Sequence, residues 1–151
     1  MHFNATTDYA VFIMLYLSKH KRTISTSELS EHLSISKRYV SSVAAKLRDG
    51  HLITVSKGQS GGYRFIKEPS MVSVYDIVTI MEGKIDLLKH INVQIRKCLP
   101  LSRAYAELES HIRNYLKAMT LNVLAKESAD EWHQQMTERV RMYASTLSFK
   151  I

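Results

Sequence analysis

The glycine-rich stretch SKGQSGGYRFI, residues 56–66, has the residue types of a ligand loop. Its three glycines, flanked by Lys57 and Arg64, could let backbone amides and cations surround a phosphate. A nucleotide phosphate loop, however, ends in Gly-Lys-Ser/Thr and opens a helix, and a dinucleotide fingerprint also needs a following helix. Here the glycines run into GYRFI, which has the composition of a strand. The sequence therefore favours a hairpin tip that closely approaches a larger partner.

Cys98 is the single cysteine of the chain, and Arg96 and Lys97 stand beside it. Neighbouring cations favour the thiolate, so the position predicts a thiol redox sensor, with an unreactive cysteine as the alternative. One thiolate cannot form an internal disulfide, and neither His90 nor His111 has a metal-site spacing from it, so no metal site is predicted. The seven histidines are scattered and no nucleophile–base signature is present, so the sequence does not predict an enzyme.

Positive charge is concentrated in the first half of the chain. Residues 1–67 hold ten Lys and Arg against four Asp and Glu, whereas residues 68–151 hold eleven against ten. This asymmetry suggests a polyanionic partner for the first half, although a generic solvated basic face would give the same count. No apolar run reaches the length of about 18 residues that a membrane helix needs, and the lone cysteine agrees with a reducing compartment, so a cytoplasmic protein is expected.

The first half has the element order of a winged helix-turn-helix domain, predicted over residues 1–70. Apolar residues at helical spacing predict helices over residues 6–19, 25–33 and 36–50. The runs HLITVS and GYRFIK predict a hairpin around the glycines. The expected fold class is therefore mostly α with a small β-hairpin wing. The residues predicted to cap these helices are Thr6 or Thr7, Ser25 and Ser36, with Gly50 as a stop.

Residues 71–151 are predicted to hold a linker helix capped by Ser73, a long dimerisation helix over about 100–126 and a C-terminal helix over 129–147. The long segment is amphipathic, and a helix of this kind needs a partner surface, either on its own domain or on a second subunit. A second subunit is the favoured partner. The apolar positions then expected at the dimer interface are Leu101, Tyr105, Leu108, Ile112, Tyr115, Met119 and Val123.

Several stretches resemble the Rrf2-type bacterial transcription regulators. They are TDYAVFIMLYL near the start, ISKRYVSSVAAKLRDGHLI over the second helix of the motif and SKGQSGGYRF at the wing, supported by VSVYDIVTIMEG and YLKAMTLNVL. The resemblance covers about residues 1–126 and implies a homodimer in which the long helix crosses the partner. It also implies binding to a palindromic operator in double-stranded DNA, more often as a repressor than as an activator.

The resemblance implies that the helix over 36–49 lies in the major groove and that the wing tip reaches a minor groove. For Tyr39, packing in the core or on a phosphate is as well supported as a base contact. The residues predicted to bind DNA are Ser25, Thr26, Ser27, Ser36, Lys37, Arg38, Tyr39, Ser41, Ser42, Lys46, Lys57, Gly58, Gln59 and Tyr63.

The chain departs from the family pattern at three places. Lys57 stands where the family usually has arginine, and His51 stands where it tends to have glycine, with Gly50 one place early. Many members hold an iron–sulfur cluster with three cysteines, but only Cys98 is present here, so no cofactor is expected. Two alternative functions remain open. One is a winged-helix module that binds protein, and the other is a regulator that responds to a small ligand or partner protein near residues 82–100.

Overall fold

The structure is a computed structural model that describes residues 4–58, 60–87, 89 and 97–126. Helices α1 (Ala5–Lys19), α2 (Thr26–Leu33) and α3 (Lys37–Asp49) come first. Strands β1 (Ile53–Ser56) and β2 (Gly62–Phe65) form an antiparallel hairpin, the wing, and a 3-10 turn (Pro69–Met71) follows. Helices α4 (Val74–Glu82), α5 (Leu99–Ala118) and α6 (Leu121–Lys126) complete the described elements. The predicted fold class, mostly helical with a hairpin wing, is confirmed.

Side-chain caps begin α2 and α3 where the sequence predicts them. The Ser25 hydroxyl accepts a hydrogen bond from the amide of Glu28 at 3.1 Å, and the Ser36 hydroxyl accepts one from the amide of Tyr39 at 3.2 Å. Each cap satisfies an amide that the first helical turn leaves without a partner. The two serines therefore fix where both helices of the motif start.

The cap of α1 is Asn4, so the prediction of Thr6 or Thr7 is wrong. Asn4 Oδ1 accepts a hydrogen bond from the Thr7 amide at 3.1 Å. Thr7 lies inside the helix, and its hydroxyl donates to Glu82 at the far end of α4 instead. The following turns of α1 are buried on most sides, as the all-round apolar pattern predicts, with Ala10, Ile13, Met14 and Leu17 in the core.

One hydrophobic core is shared by α1 to α4, α6, the wing and the segment just before α4. The residues predicted to face inward from α2 and α3 are all buried, namely Leu29, Leu33, Val40, Val43, Ala44 and Leu47. The same core includes Val72, Ile77, Met81, Leu121 and Leu124. The division at residue 70 stays a prediction, and the core continues across it. Among the described residues, no helix is long and apolar enough to cross a membrane.

The chain leaves α3 through a left-handed turn at His51. The His51 amide donates to the Arg48 carbonyl at 2.8 Å and the Leu52 amide donates to the Leu47 carbonyl at 3.0 Å, a pairing that usually places glycine at the left-handed position. His51 has φ 57°, which costs a residue with a side chain about 1 kcal/mol. Gly50 is needed just before it, because a Cβ there would lie 2.4 Å from Ile80 Cδ1 on α4. The departure from the family pattern thus leaves the turn intact.

The wing is anchored by an isolated backbone bridge to Ile24 that the sequence pattern does not reveal. Ile24 pairs with Tyr63, donating to its carbonyl at 2.9 Å and accepting from its amide at 2.8 Å. Gly62 makes this approach possible, because a Cβ at this position would lie 2.2 Å from the Ile24 carbonyl oxygen. The close approach that Gly62 allows is therefore an approach to the Ile24 backbone of the same chain and not to an outside partner.

The helix predicted over about 100–126 is two helices in the structure. Between them, the Met119 carbonyl accepts a hydrogen bond from the Val74 amide at 2.8 Å, and the Leu121 amide donates to the Val72 carbonyl at 2.9 Å. These bonds to the segment before α4 replace helical hydrogen bonds and turn the chain, so that α6 packs on the core. The helix predicted over 129–147 lies outside the described residues.

Candidate nucleic-acid interface

Tyr63 joins the three elements of the predicted DNA-binding face. Its side chain is 7% exposed. Its hydroxyl donates to Ser41 Oγ on α3 at 3.3 Å and accepts from Thr26 Oγ1 on α2 at 3.4 Å. The prediction was a DNA contact, but the structure places Tyr63 beneath the surface, where it holds the wing against α2 and α3. The alternation of β2, with Tyr63 and Phe65 facing inward and Arg64 outward, is the sequence signal for this position.

The cations on this face are exposed, and none of them is in a salt bridge with a described residue. They are Lys37, Arg38 and Lys46 on α3 and Lys57 at the wing. Arg48, at the other end of α3, differs because it pairs with Asp49 at 2.7 Å. The cations of the predicted face are therefore free to meet an anion.

Lys37 and Arg38 lie in the first turn of α3, which has no acidic residue. The amides at a helix N-terminus carry partial positive charge, so a cation there costs about 0.3–1 kcal/mol of stability. Folding alone would favour Asp or Glu at these positions. A bound phosphate would instead be attracted by both the cations and the amides, so the arrangement suits an anion-binding surface.

Tyr39 turns away from the exposed face and packs on α1. Its hydroxyl forms a hydrogen bond with Thr6 Oγ1 at 2.9 Å, and its ring meets Tyr9 edge to face with centroids 5.5 Å apart. The structure thus shows packing of Tyr39 within the chain, and the base contact stays a prediction. Tyr39 therefore orients the first turn of α3 from behind.

The serine and threonine residues of the predicted site differ in their exposure and in the hydrogen bonds that their hydroxyls already make. Ser36, Ser41 and Ser42 are exposed along α3, although Ser41 also meets Tyr63. On α2, Ser25 Oγ is occupied as an acceptor by the cap and Thr26 is bonded to Tyr63, while Ser27 is half-buried. The α2 residues therefore present the helix N-terminus and one donor hydrogen at Ser25, which suits phosphate contact rather than base readout.

The wing tip turns tightly between Lys57 and Gly61. The Gly61 amide donates to the Gly58 carbonyl at 2.9 Å, and a Cβ at Gly61 would lie 2.5 Å from the Ser56 carbonyl oxygen. Gly58 has φ 106° with open space around its Cα, so it is the glycine with room for an outside partner. Gln59, also predicted to bind DNA, lies outside the described residues.

A polar cluster behind the N-terminus of α2 was not predicted. Arg22 donates to both carboxyl oxygens of Glu28, at 2.9 and 2.6 Å, and the Tyr16 hydroxyl donates to the same carboxylate at 2.9 Å. Glu28 therefore does not close the capping box suggested by its spacing from Ser25. The Arg22 hydrogen bond is the main cause that lowers the pKa of the Glu28 carboxyl. Partial burial is the main cause that raises the pKa of Tyr16.

The Glu28→Gln variant is expected to lose part of the pH dependence of stability. Because the pKa of Glu28 is lowered from 4.5 in the fold, its charged form stabilises the protein above that pH, and this contribution is lost as the pH falls through the lowered pKa. Urea unfolding at about pH 7 and about pH 3 measures the change. Glu31→Gln, an exposed site on the same helix, is the control. An equal acid loss in wild type and Glu28→Gln would contradict the prediction.

Cys98 is exposed and occupies the N-cap position of α5, and its side chain makes no capping hydrogen bond. The predicted position just before the long helix is therefore confirmed. Arg96 lies outside the described residues. Within the described part of the chain, no three His, Cys, Asp or Glu side chains come together as metal ligands.

Comparisons with known proteins give one consistent match. The Rrf2 family model, described as an iron-dependent transcriptional regulator, matches residues 3–127. The transcriptional regulator NsrR of Shouchella clausii is 28% identical over 124 residues, covering 79% of this chain and 83% of the relative. IscR of Vibrio atlanticus is 29% identical over 126 residues, covering 80% and 72%.

Two solved structures share the fold. CymR, the global cysteine regulator of B. subtilis, superposes with a TM-score of 0.67 at 21% identity, covering 85% of this chain and 98% of that one. IscR of T. potens superposes with the same TM-score at 22% identity, covering 87% and 90%. At these identities the superpositions support the winged-helix architecture, and the sequence matches supply the family.

Proposed function

Because the chain belongs to the Rrf2 family of transcriptional regulators, we propose that it binds a palindromic operator as a homodimer and represses transcription there. The family consists of DNA-binding regulators rather than enzymes. The observation that carries the proposal is the first turn of α3, where Lys37 and Arg38 are exposed, free of salt bridges to described residues and unfavourable to the helix dipole. Binding to the DNA backbone would relieve that unfavourable placement.

In the proposed complex, the N-terminal turn of α3 faces the base edges of a major groove. The planar fork of Arg38 suits the O6 and N7 atoms of guanine, whereas Ser41 and Ser42 are less selective. The first turn of α2 meets a phosphate. Lys57 enters the minor groove, where a point charge reads width and potential with less specificity than an arginine fork.

A homodimer is proposed because the described chain leaves much of the apolar stripe of α5 uncovered. Leu101, Leu108 and Tyr115 recur every seven residues and are exposed, and no residue of α5 is buried. Of the other predicted interface residues, Tyr105 and Ile112 are half-buried, Met119 packs on the core of its own chain, and Val123 is exposed on α6. A two-fold dimer presents two wings and two α3 helices, which matches a palindrome.

Selection of bound sequences from a random pool of DNA duplexes tests this function. We expect a palindrome with half-site centres about 10 base pairs apart, or a multiple of that distance. The competing function is a winged-helix module that binds protein. The salt dependence separates the two, because operator affinity falls steeply with salt as counterions leave the phosphates. Equal affinity for any duplex, or binding that is insensitive to salt, would contradict the proposal.

Arg38→Ala and Lys57→Ala are expected to weaken operator binding in different ways. Arg38→Ala should cost about 1–3 kcal/mol and relax the base preference, while Lys57→Ala should weaken binding to all sequences and lessen the salt slope by about one per subunit. Removing Arg38 also relieves the helix dipole, so the free energy of unfolding should not fall. Fluorescence anisotropy over a salt series measures both effects, with exposed Lys84→Ala as the control. Wild-type binding by both variants would rule out this docking.

No cofactor is proposed, although the family description names iron. An iron–sulfur cluster requires several thiolates, and the whole chain contains one cysteine. The described residues also offer no alternative group of three metal ligands. The donor set of this chain therefore does not fit an iron–sulfur cluster.

The proposed signal is oxidation of the exposed Cys98 thiol, with a small ligand or partner protein as the alternative. Hydrogen peroxide would convert the thiol to a sulfenic acid and be reduced to water, adding a polar group at the start of α5. Operator affinity measured with reduced and peroxide-treated protein tests this, and Cys98→Ser is the matched control. Unchanged affinity after oxidation would remove the redox signal and leave the alternative.

A further inference from the structure

Glu82, the last residue of α4, holds the first turn of α1. One of its carboxyl oxygens accepts hydrogen bonds from the Asn4 amide at 2.9 Å and from the Thr7 hydroxyl at 2.5 Å. Thr7 is 1% exposed, and its hydroxyl has a second, longer hydrogen bond to the neutral Asn4 Oδ1 at 3.4 Å. Hydrogen bonds to an ionised acceptor are about twice as strong as neutral ones. A carboxylate is also favourable beside a helix N-terminus.

The same turn of α1 contacts the helix proposed to read DNA. Thr6, beside Thr7, forms the 2.9 Å hydrogen bond with the Tyr39 hydroxyl, and Tyr9 packs against the edge of the Tyr39 ring. Tyr39 is the third residue of α3 and follows Lys37 and Arg38 directly. Its amide also donates to the Ser36 cap. A shift of the first turn of α1 would therefore reach the first turn of α3.

We propose that Glu82 is a positioning residue for DNA recognition, acting on Arg38 through the α1 turn and Tyr39. The proposal rests on the DNA-binding function proposed above. Glu82 belongs to α4, outside the helix-turn-helix and the wing, so DNA docking alone gives it no role. A helix end frays unless its free amides have hydrogen-bond partners. Thr6 hydrogen-bonds to Tyr39 only while the first turn of α1 is formed, so Glu82 supports that bond by holding the turn.

The test is a double-mutant cycle between Glu82 and Tyr39 with operator affinity as the readout. Glu82→Ala should weaken binding about tenfold, the size expected for losing a charged hydrogen-bond acceptor. Glu82→Gln keeps an acceptor oxygen and should restore most of the affinity. In the Tyr39→Phe background, which keeps the ring but not the hydroxyl, Glu82→Ala should cost less than about twofold, because the link is already broken.

Two controls keep the outcomes distinct. Glu107→Ala removes the same charge from the surface of α5, where its described partner is Arg103 at 3.5 Å, and it should leave affinity unchanged or slightly raised. Arg38→Ala reports on the proposed function itself. If Arg38→Ala weakens binding and Glu82→Ala does not, or if Glu82→Ala costs the same with and without the Tyr39 hydroxyl, the positioning role is overturned. If neither Arg38→Ala nor Glu82→Ala affects binding, the proposed DNA docking is wrong, and the positioning role that rests on it falls with it.

Discussion

Replacing Gly62 with alanine is expected to undock the wing and abolish operator binding. The new Cβ would lie 2.2 Å from the carbonyl oxygen of Ile24 and 2.7 Å from its carbonyl carbon, both backbone atoms that cannot rotate away. The two hydrogen bonds between Ile24 and Tyr63 must then open or the strand must shift. Overpacking and the lost bonds together should cost about 2–4 kcal/mol of unfolding free energy. Urea unfolding and operator titration measure the two effects.

Gly58→Ala and Gly83→Ala are the matched controls for this substitution. Both glycines have positive φ, 106° and 87°, and neither would place a Cβ within 4 Å of another residue. Each control should therefore cost only the conformational strain of about 1–3 kcal/mol, whereas Gly62→Ala, with φ 157°, adds overpacking to the same kind of strain. Gly83 directly follows Glu82, so its variant is a control for unfolding only. If Gly62→Ala unfolds at the same urea concentration as the controls, the close approach of Ile24 is not present.

The position of Tyr63 explains why the loss should extend beyond the wing. When β2 leaves Ile24, the Tyr63 hydroxyl also leaves Ser41 on α3 and Thr26 on α2. Three contacts with DNA, from the wing tip, α2 and α3, would then lose their common support. A preorganised surface binds more tightly because less conformational entropy is lost on binding. The affinity loss should consequently exceed that of removing Lys57 alone.

Local chemistry in the sequence predicts most of the fold. Ser25 and Ser36 have hydroxyls that can cap a helix, and the helical spacing of Val40, Val43 and Leu47 marks a buried face. The wing glycines mark a turn between two strand-forming runs. These signals work because each depends on residues within a few positions of one another. The predicted hairpin and the predicted starts of α2 and α3 are accordingly confirmed.

Most of the features that were not predicted depend on residues distant in the chain. Ile24 bridges to Tyr63 only because Gly62 lets β2 approach it, and the long helix ends at Ala118 because Val72 and Val74 offer other backbone partners to the residues that follow. The hydroxyls of Tyr39 and Thr7 find Thr6 and Glu82 across the fold. No periodicity encodes such pairs. The predicted DNA-binding residues therefore include two that support the face from within, Tyr39 and Tyr63.

Leu108→Gln is expected to dissociate the proposed dimer and to remove most of the operator affinity. Leu108 is the middle residue of the exposed α5 stripe, at 50% exposure between Leu101 at 38% and Tyr115 at 67%. In a two-fold interface the central residue approaches its own copy, so one substitution acts twice. Losing the burial of the exposed half of two leucines costs about 2 kcal/mol, and desolvating two glutamine amides adds about 2 kcal/mol, together roughly a thousandfold in the dimer dissociation constant. Analytical ultracentrifugation measures that constant directly.

Operator binding should fall by at least about 100-fold in the same variant, because a monomer binds one half-site without the effective concentration that a linked second site provides. Ser110→Gln is the control, since Ser110 is exposed and lies about 200° around α5 from Leu108. Gln is a good helix former, so neither variant should melt α5 for lack of propensity. A Leu108→Gln protein that stays dimeric like Ser110→Gln would place the interface elsewhere. A monomeric wild type would overturn the homodimer itself.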